Sequence, residues 1–142
     1  MKNLPLGINT LSTIRQENMV YVDKTEMAWL LMKQTGRFFL SRPRRFGKSL
    51  FVDTLKEIFE GNKELFEGLY IHDKWDWTKT YPVIKIDFAS GNIRSREELD
   101  VKIGEILNEE MNRLGVCSDK KSISGIFSDL IGHVTEKYGL RA

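Results

Sequence analysis

Hydrophobic positions change period along the chain, and each change predicts an element. Ile8, Leu11 and Ile14 recur at roughly helical spacing, and Asn9 or Thr10 can cap the short helix they define. Residues 19–22 (MVYV) read as a short strand. Asp23 or Thr25 can cap the next helix, whose Met27, Ala28, Leu30 and Leu31 form an apolar stripe before Gly36 offers a stop. Residues 37–40 (RFFL) read as a buried strand, and Phe51, Val52, Leu55, Ile58 and Phe59 then keep helical period as far as Gly61.

In the second half, residues 62–69 (NKELFEGL) suit one or two helical turns and residues 75–80 (WDWTKT) a loop. Pro82 opens residues 83–88 (VIKIDF), a second buried strand rich in β-branched residues, bounded by Gly91 and Asn92 and carrying an acid, Asp87, at its end. Ser95 and Glu98 have capping-box spacing, and Leu99, Ile103, Ile106, Leu107 and Leu114 carry a helix from there towards Gly115. Ser122 precedes a stripe of Ile123, Ile126, Phe127, Leu130, Ile131, Val134 and Tyr138 that closes at Gly139. Strands alternating with helices predict an α/β fold with a largely parallel sheet flanked by helices. Two or three strands are few for at least five helical segments, and only Leu140, Arg141 and Ala142 follow the last one, so the architecture is expected to be truncated there.

The composition, 41% hydrophobic and 30% charged over 142 residues, suits one globular domain. Lys and Arg total 22 against 20 Asp and Glu, so a net charge of +2 attracts neither nucleic acid nor membrane unless the cations cluster. The one cysteine, Cys117, cannot form an internal disulfide, and with His72 and His133 it builds no metal-ligand spacing. Residues 1–8 (MKNLPLGI) lack a signal-peptide core, and no segment approaches the ~18 apolar residues that span a bilayer. A cytoplasmic chain without a membrane segment is the expectation.

Chemistry concentrates in residues 37–55 (RFFLSRPRRFGKSLFVDTL). Gly47, Lys48 and Ser49 match the GK[ST] half of a phosphate-binding loop, here between an expected strand and an expected helix. Gly47 has no Cβ to hold phosphate oxygens away from the backbone, and amides of the loop and first helical turn can point at an anion with the helix dipole behind them. Lys48 would set a point charge between the β- and γ-phosphates, and Ser49 Oγ would ligate Mg²⁺. Arg42 stands where the full pattern has its first glycine, and Pro43 removes an amide. Arg44 and Arg45 add fixed cations that can grip phosphate bidentately or reach a partner subunit.

Other groups admit a functional and a plain reading. Asp87 is placed where P-loop enzymes hold a Mg²⁺-bound water, or it caps the following turn. Asp23, Lys24 and Thr25 are helix caps or ligand contacts. Trp75 and Trp77, with Trp29 elsewhere, are base-stacking platforms or, as paired loop tryptophans more often are, lids over a core. The cluster Arg37, Arg42, Arg44, Arg45 and Lys48 serves a nucleotide's phosphates or, as the alternative, makes a basic module that binds nucleic acid or another polyanion without nucleotide chemistry. A third reading is a structural fragment whose exposed sheet edge invites self-association.

Residues 4–8 (LPLGI), 21–25 (YVDKT), 41–50 (SRPRRFGKSL), 65–71 (LFEGLYI) and 82–88 (PVIKIDF) resemble, in order, the bacterial AAA-ATPase-like proteins of unknown function. These often carry a C-terminal region related to PD-(D/E)XK nucleases. The family's loop itself reads RPRRFGKS, so the resemblance implies ATP binding with Mg²⁺ through Arg44, Arg45, Phe46, Gly47, Lys48, Ser49 and Leu50, with Lys48 catalytic and Ser49 the metal ligand. In the family the strand holding Asp87 is a second core strand, and an acidic motif similar to IDEYD follows the helix that here closes at Gly139. The resemblance thus implies that residues 1–142 are the N-terminal portion of a P-loop ATPase domain, binding nucleotide with hydrolysis weak or absent. Nucleic acid would be a partner only of a longer protein.

Overall fold

Helix boundaries follow the local chemistry most closely in the second half of the chain, whereas the helix expected to stop at Gly36 ends at Met32. In the computed structural model, residues 1–88 and 93–139 are described; Gly91 and Asn92, read above as strand-end markers, and residues 140–142 lie outside them. Five α-helices occur among the described residues: α1 (Leu11–Gln16), α2 (Thr25–Met32), α3 (Lys48–Phe59), α4 (Arg96–Leu114) and α5 (Ile123–Tyr138). Two 3-10 turns, Lys63–Phe66 and Tyr70–Asp73, follow α3. Ser95 and Ser122 cap α4 and α5 by accepting from the amides of Glu98 and Gly125, and Gly115 and Gly139 close these helices in the left-handed conformation.

The expected α/β fold is overturned, because no β-strand is present among the described residues. Residues 19–22, 37–40 and 83–88 contain no strand, and there is no parallel sheet for helices to flank. β-branched and aromatic residues favour a pleated, half-buried surface, but only a ladder partner makes an extended segment a strand. In residues 83–88 that partner is replaced by side chains of α4: the Lys85 amide donates to Glu110 Oε2 at 3.3 Å, and the Val83 carbonyl accepts from Arg113. Residues 37–40 face solvent instead of a core, with Phe39 93% exposed. Phe39 and Leu40 therefore do not anchor the loop, and a sheet edge for self-association has no basis among the described residues.

The chain forms two compact units, Met1–Thr80 and Tyr81–Ala142. In the first, Leu11, Ala28, Phe51, Ile58, Phe66 and Ile71 make the core. Trp75 packs edge-on against Trp29 and Phe59, and Trp77 lies over Phe66 while its indole N–H donates to the His72 carbonyl. α1 packs on α3, and although no side chain of its own caps it, the Leu11 amide donates to the buried Asp53 carboxylate of α3 at 2.8 Å. This bond fixes the chain entering α1 relative to the body of α3. The second unit is built on two helices, α4 and α5, packed through Leu107, Met111, Leu114, Leu130 and Val134, with Ile84 added from the extended segment. Among the described residues no helix is long and apolar enough to cross a membrane.

Candidate functional site

The GKS triplet opens α3 as expected, but no strand leads into it, residues 37–40 being exposed and without strand structure, and the backbone there has an unusual course. Gly47 has φ 75° and Arg45 has φ 65°, so two residues of the loop are left-handed. Glycine adopts this conformation without cost, whereas an L side chain is crowded by its own carbonyl, roughly 1–2 kcal/mol in the case of Arg45. The course turns the chain into α3 at Lys48, and no side chain caps that end of the helix. Phe51 is the first residue to return a helical bond, from its amide to the Gly47 carbonyl at 2.9 Å. The amides ahead of it are orphan donors at the positive end of a 12-residue helix.

Lys48 is half-buried and folded back over the loop, its Nζ donating to the Arg42 carbonyl. Arg42, in the place of the missing glycine, thus contributes its backbone oxygen to the site while its guanidinium reaches Met27 Sδ at 3.6 Å. Ser49 is exposed beside Lys48, and Arg44, Arg45 and Phe46 are exposed on the loop itself.

The loop opens on two cavities. The larger, about 720 Å³, is lined by Pro5, Leu6, Gly7, Ile8 and Asn9 on one side and by Arg45, Gly47, Lys48, Ser49 and Leu50 on the other. The smaller, about 350 Å³, shares Pro5, Arg45, Gly47 and Leu50 with it and is closed by Leu4, Val20, Tyr21, Val22, Lys24, Phe46, Phe51 and Thr54. Both volumes fall in the range of small-ligand sites, ~300–1,000 Å³. Burial pushes the Tyr21 phenol up, partly opposed by its hydrogen bond with the Thr54 hydroxyl. Among the described residues no carboxylate lines either cavity.

The structure therefore brings Arg45, Phe46, Gly47, Lys48, Ser49 and Leu50 to one pair of cavities, with Arg44 on the adjoining turn. Asp87 is exposed and belongs to the second unit, not to the unit that builds these cavities. Residues 5–9 form a wall that the hydrophobic pattern does not announce, since it marks there only Ile8 and a cap at Asn9 for a short helix. Pro5 and Gly7 were the available signal, since such residues punctuate a turn. Asp23 holds another part of the wall, accepting from the Thr25 amide at 2.8 Å, the Thr25 hydroxyl at 2.7 Å and the Tyr70 amide at 2.8 Å.

Comparison with known proteins agrees with this picture at the level of family. The chain matches the family described as Predicted AAA-ATPase over residues 5–142. It is 47% identical over 131 residues to an uncharacterized protein in the vnfD 5' region of Azotobacter chroococcum mcd 1. That match covers 92% of this chain but 25% of the relative, so the chain spans about a quarter of the relative's length. No solved structure matches. The matched residues take in the GKS loop, the lining of both cavities except Leu4, and the five helices of the described residues, and the chain belongs to the predicted AAA-ATPase family.

Proposed function

We propose that this chain binds ATP, as its magnesium complex, through a variant Walker A loop at residues 41–49. The observation that carries the reading is the leading turn of α3, where a left-handed glycine, a half-buried lysine and an exposed serine follow one another at an uncapped helix end on a cavity of about 720 Å³. These groups fit a triphosphate. Orphan amides and the helix dipole favour the anion, the Lys48 ammonium can exchange the Arg42 carbonyl for phosphate oxygens, and Arg44 and Arg45 supplement the charge. Ser49 would hold Mg²⁺, which would supply positive charge to offset that of the phosphates.

Binding is what the cavity residues support more than hydrolysis. Positioning a water for attack calls for a group such as a carboxylate or an amide; among the described residues no carboxylate lines the cavities, and Asn9 on the larger one is a neutral amide that can orient a water but cannot take its proton. Lys48 is then the residue on which any chemistry depends. The ATPase activity of longer family members, with its substrates and partners, is a proposal for the whole protein.

Titration of Mg-ATP by calorimetry into the wild type and Lys48→Ala tests this reading. The expected outcome is saturable binding in the wild type, weakened at least ~10-fold in the variant by loss of a charge-assisted hydrogen bond. Binding that is unchanged in Lys48→Ala, or that follows salt steeply and treats ATP and any polyanion alike, would instead assign the exposed arginines to polyanion capture.

A further inference from the structure

Lys24 lies on the approach to α2, and its ammonium comes up to the loop from the smaller cavity. Its Nζ is 3.6 Å from the point that a Cβ on Gly47 would occupy, and both residues line that cavity. The turn that presents it is fixed at both flanks. Asp23 is bonded to Thr25 and to the Tyr70 amide, and the buried Thr25 hydroxyl accepts from the Ile71 amide at 3.2 Å.

Asp23 therefore directs its carboxylate at backbone and hydroxyl donors instead of at the neighbouring lysine. Among the described residues no carboxylate makes an ion pair with Lys24. Lys24 is half-buried, with its ammonium beside a left-handed glycine and apolar walls such as Tyr21 and Phe51, a setting in which an arriving anion meets a charge already partly withdrawn from water. Low local polarity also makes the charge count for more once an anion arrives.

We propose that Lys24 is a second cationic binding residue for the nucleotide's phosphate tail, reaching the anion beside Gly47 from the cavity that Lys48 does not line. The proposal rests on the loop being a phosphate site. An ammonium with three donors and no planar fork suits a phosphate oxygen as a point charge, and Lys24 and Lys48 would then hold the tail between them.

The test uses the full chain as wild type, Lys24→Met, Lys24→Arg and Lys48→Ala, each titrated with Mg-ATP and with pyrophosphate and melted without ligand. Lys24→Met should weaken both ligands about 10- to 100-fold, the range for a charge-assisted bond to phosphate, with the unliganded Tm unchanged and affinity largely restored in Lys24→Arg. Wild-type affinity in Lys24→Met, alongside a loss in Lys48→Ala, would overturn the role of Lys24 and leave the loop reading standing. A loss matched by a fall in unliganded Tm and not rescued by arginine would assign Lys24 to holding the turn, and so also overturn the proposal. Absence of any binding by the wild type would remove the loop reading and this inference with it.

Discussion

At the scale of single residues, conformation and charge at the loop lead to separate predictions. A Cβ at Gly47 would meet Lys24 Nζ at ordinary contact distance, so the cost of Gly47→Ala lies in its φ of 75°. That strain is roughly 1–2 kcal/mol, and we expect it to appear as a five- to thirtyfold loss of Mg-ATP affinity in calorimetry, since the loop must keep its course to bind. Asp23 gives a dependence on pH. Burial pushes its carboxyl up, but the donors on Tyr70 and Thr25 outweigh this and hold it below the ordinary 3.8. A carboxyl more acidic in the folded than in the unfolded state stabilises above its unfolded value, and this contribution is lost as pH falls through the folded value. Asp23→Asn should therefore flatten part of the acid-unfolding limb below about pH 4. It should also cost about 1 kcal/mol at neutral pH, less than a buried charged bond because the carboxylate is solvent-exposed. Urea unfolding of both proteins across this range reads out both effects.

At the scale of elements, the ends of α3, α4 and α5 were legible in the sequence, whereas the end of α2, which closes at Met32 ahead of Gly36, and the extended segments were not. Gly61, Gly115 and Gly139 each end a helix in the left-handed region, and Ser95 and Ser122 each start one, because these signals act within a few residues. After α3, the Gly61 amide donates to Ile58 and the Asn62 amide to Glu57, and a Cβ on Gly61 would also lie 2.7 Å from Thr80 Cγ2. Gly61→Ala is accordingly expected to cost about 2 kcal/mol in thermal or urea unfolding, from backbone strain plus displacement of Thr80. Residues 37–40 and 83–88 have the composition of strands, yet pairing depends on distant partners that local pattern cannot specify. Glu110 and Arg113 take up the backbone of residues 83–85, and nothing in the spacing of VIKIDF announces acceptors and donors 25 and 30 residues away. The GKS triplet was legible for the opposite reason, being local. Its wall at residues 5–9, brought in through the bond between Leu11 and Asp53, was not.

At the scale of the whole molecule, the two units have separate cores, and every residue lining the loop cavities belongs to the first. All three tryptophans, Trp29, Trp75 and Trp77, also lie in the first unit, so their fluorescence reports on it alone. Leu130 is fully buried in the second core, and Leu130→Ala should cost about 2–5 kcal/mol there. We expect far-UV circular dichroism to show that loss at a lower temperature than the tryptophan transition, with Mg-ATP affinity kept below both. The most direct test of the central claim is a thermal-shift titration of the chain with ATP, ADP and GTP, with and without Mg²⁺, beside Lys48→Ala. Ligand at about 100 times its dissociation constant should add roughly 2.7 kcal/mol of stability, a rise of several degrees in the first unit's transition. The account predicts a Mg²⁺-dependent rise with ATP that is lost in Lys48→Ala; a transition that no nucleotide moves, or that moves equally in the variant, would contradict it.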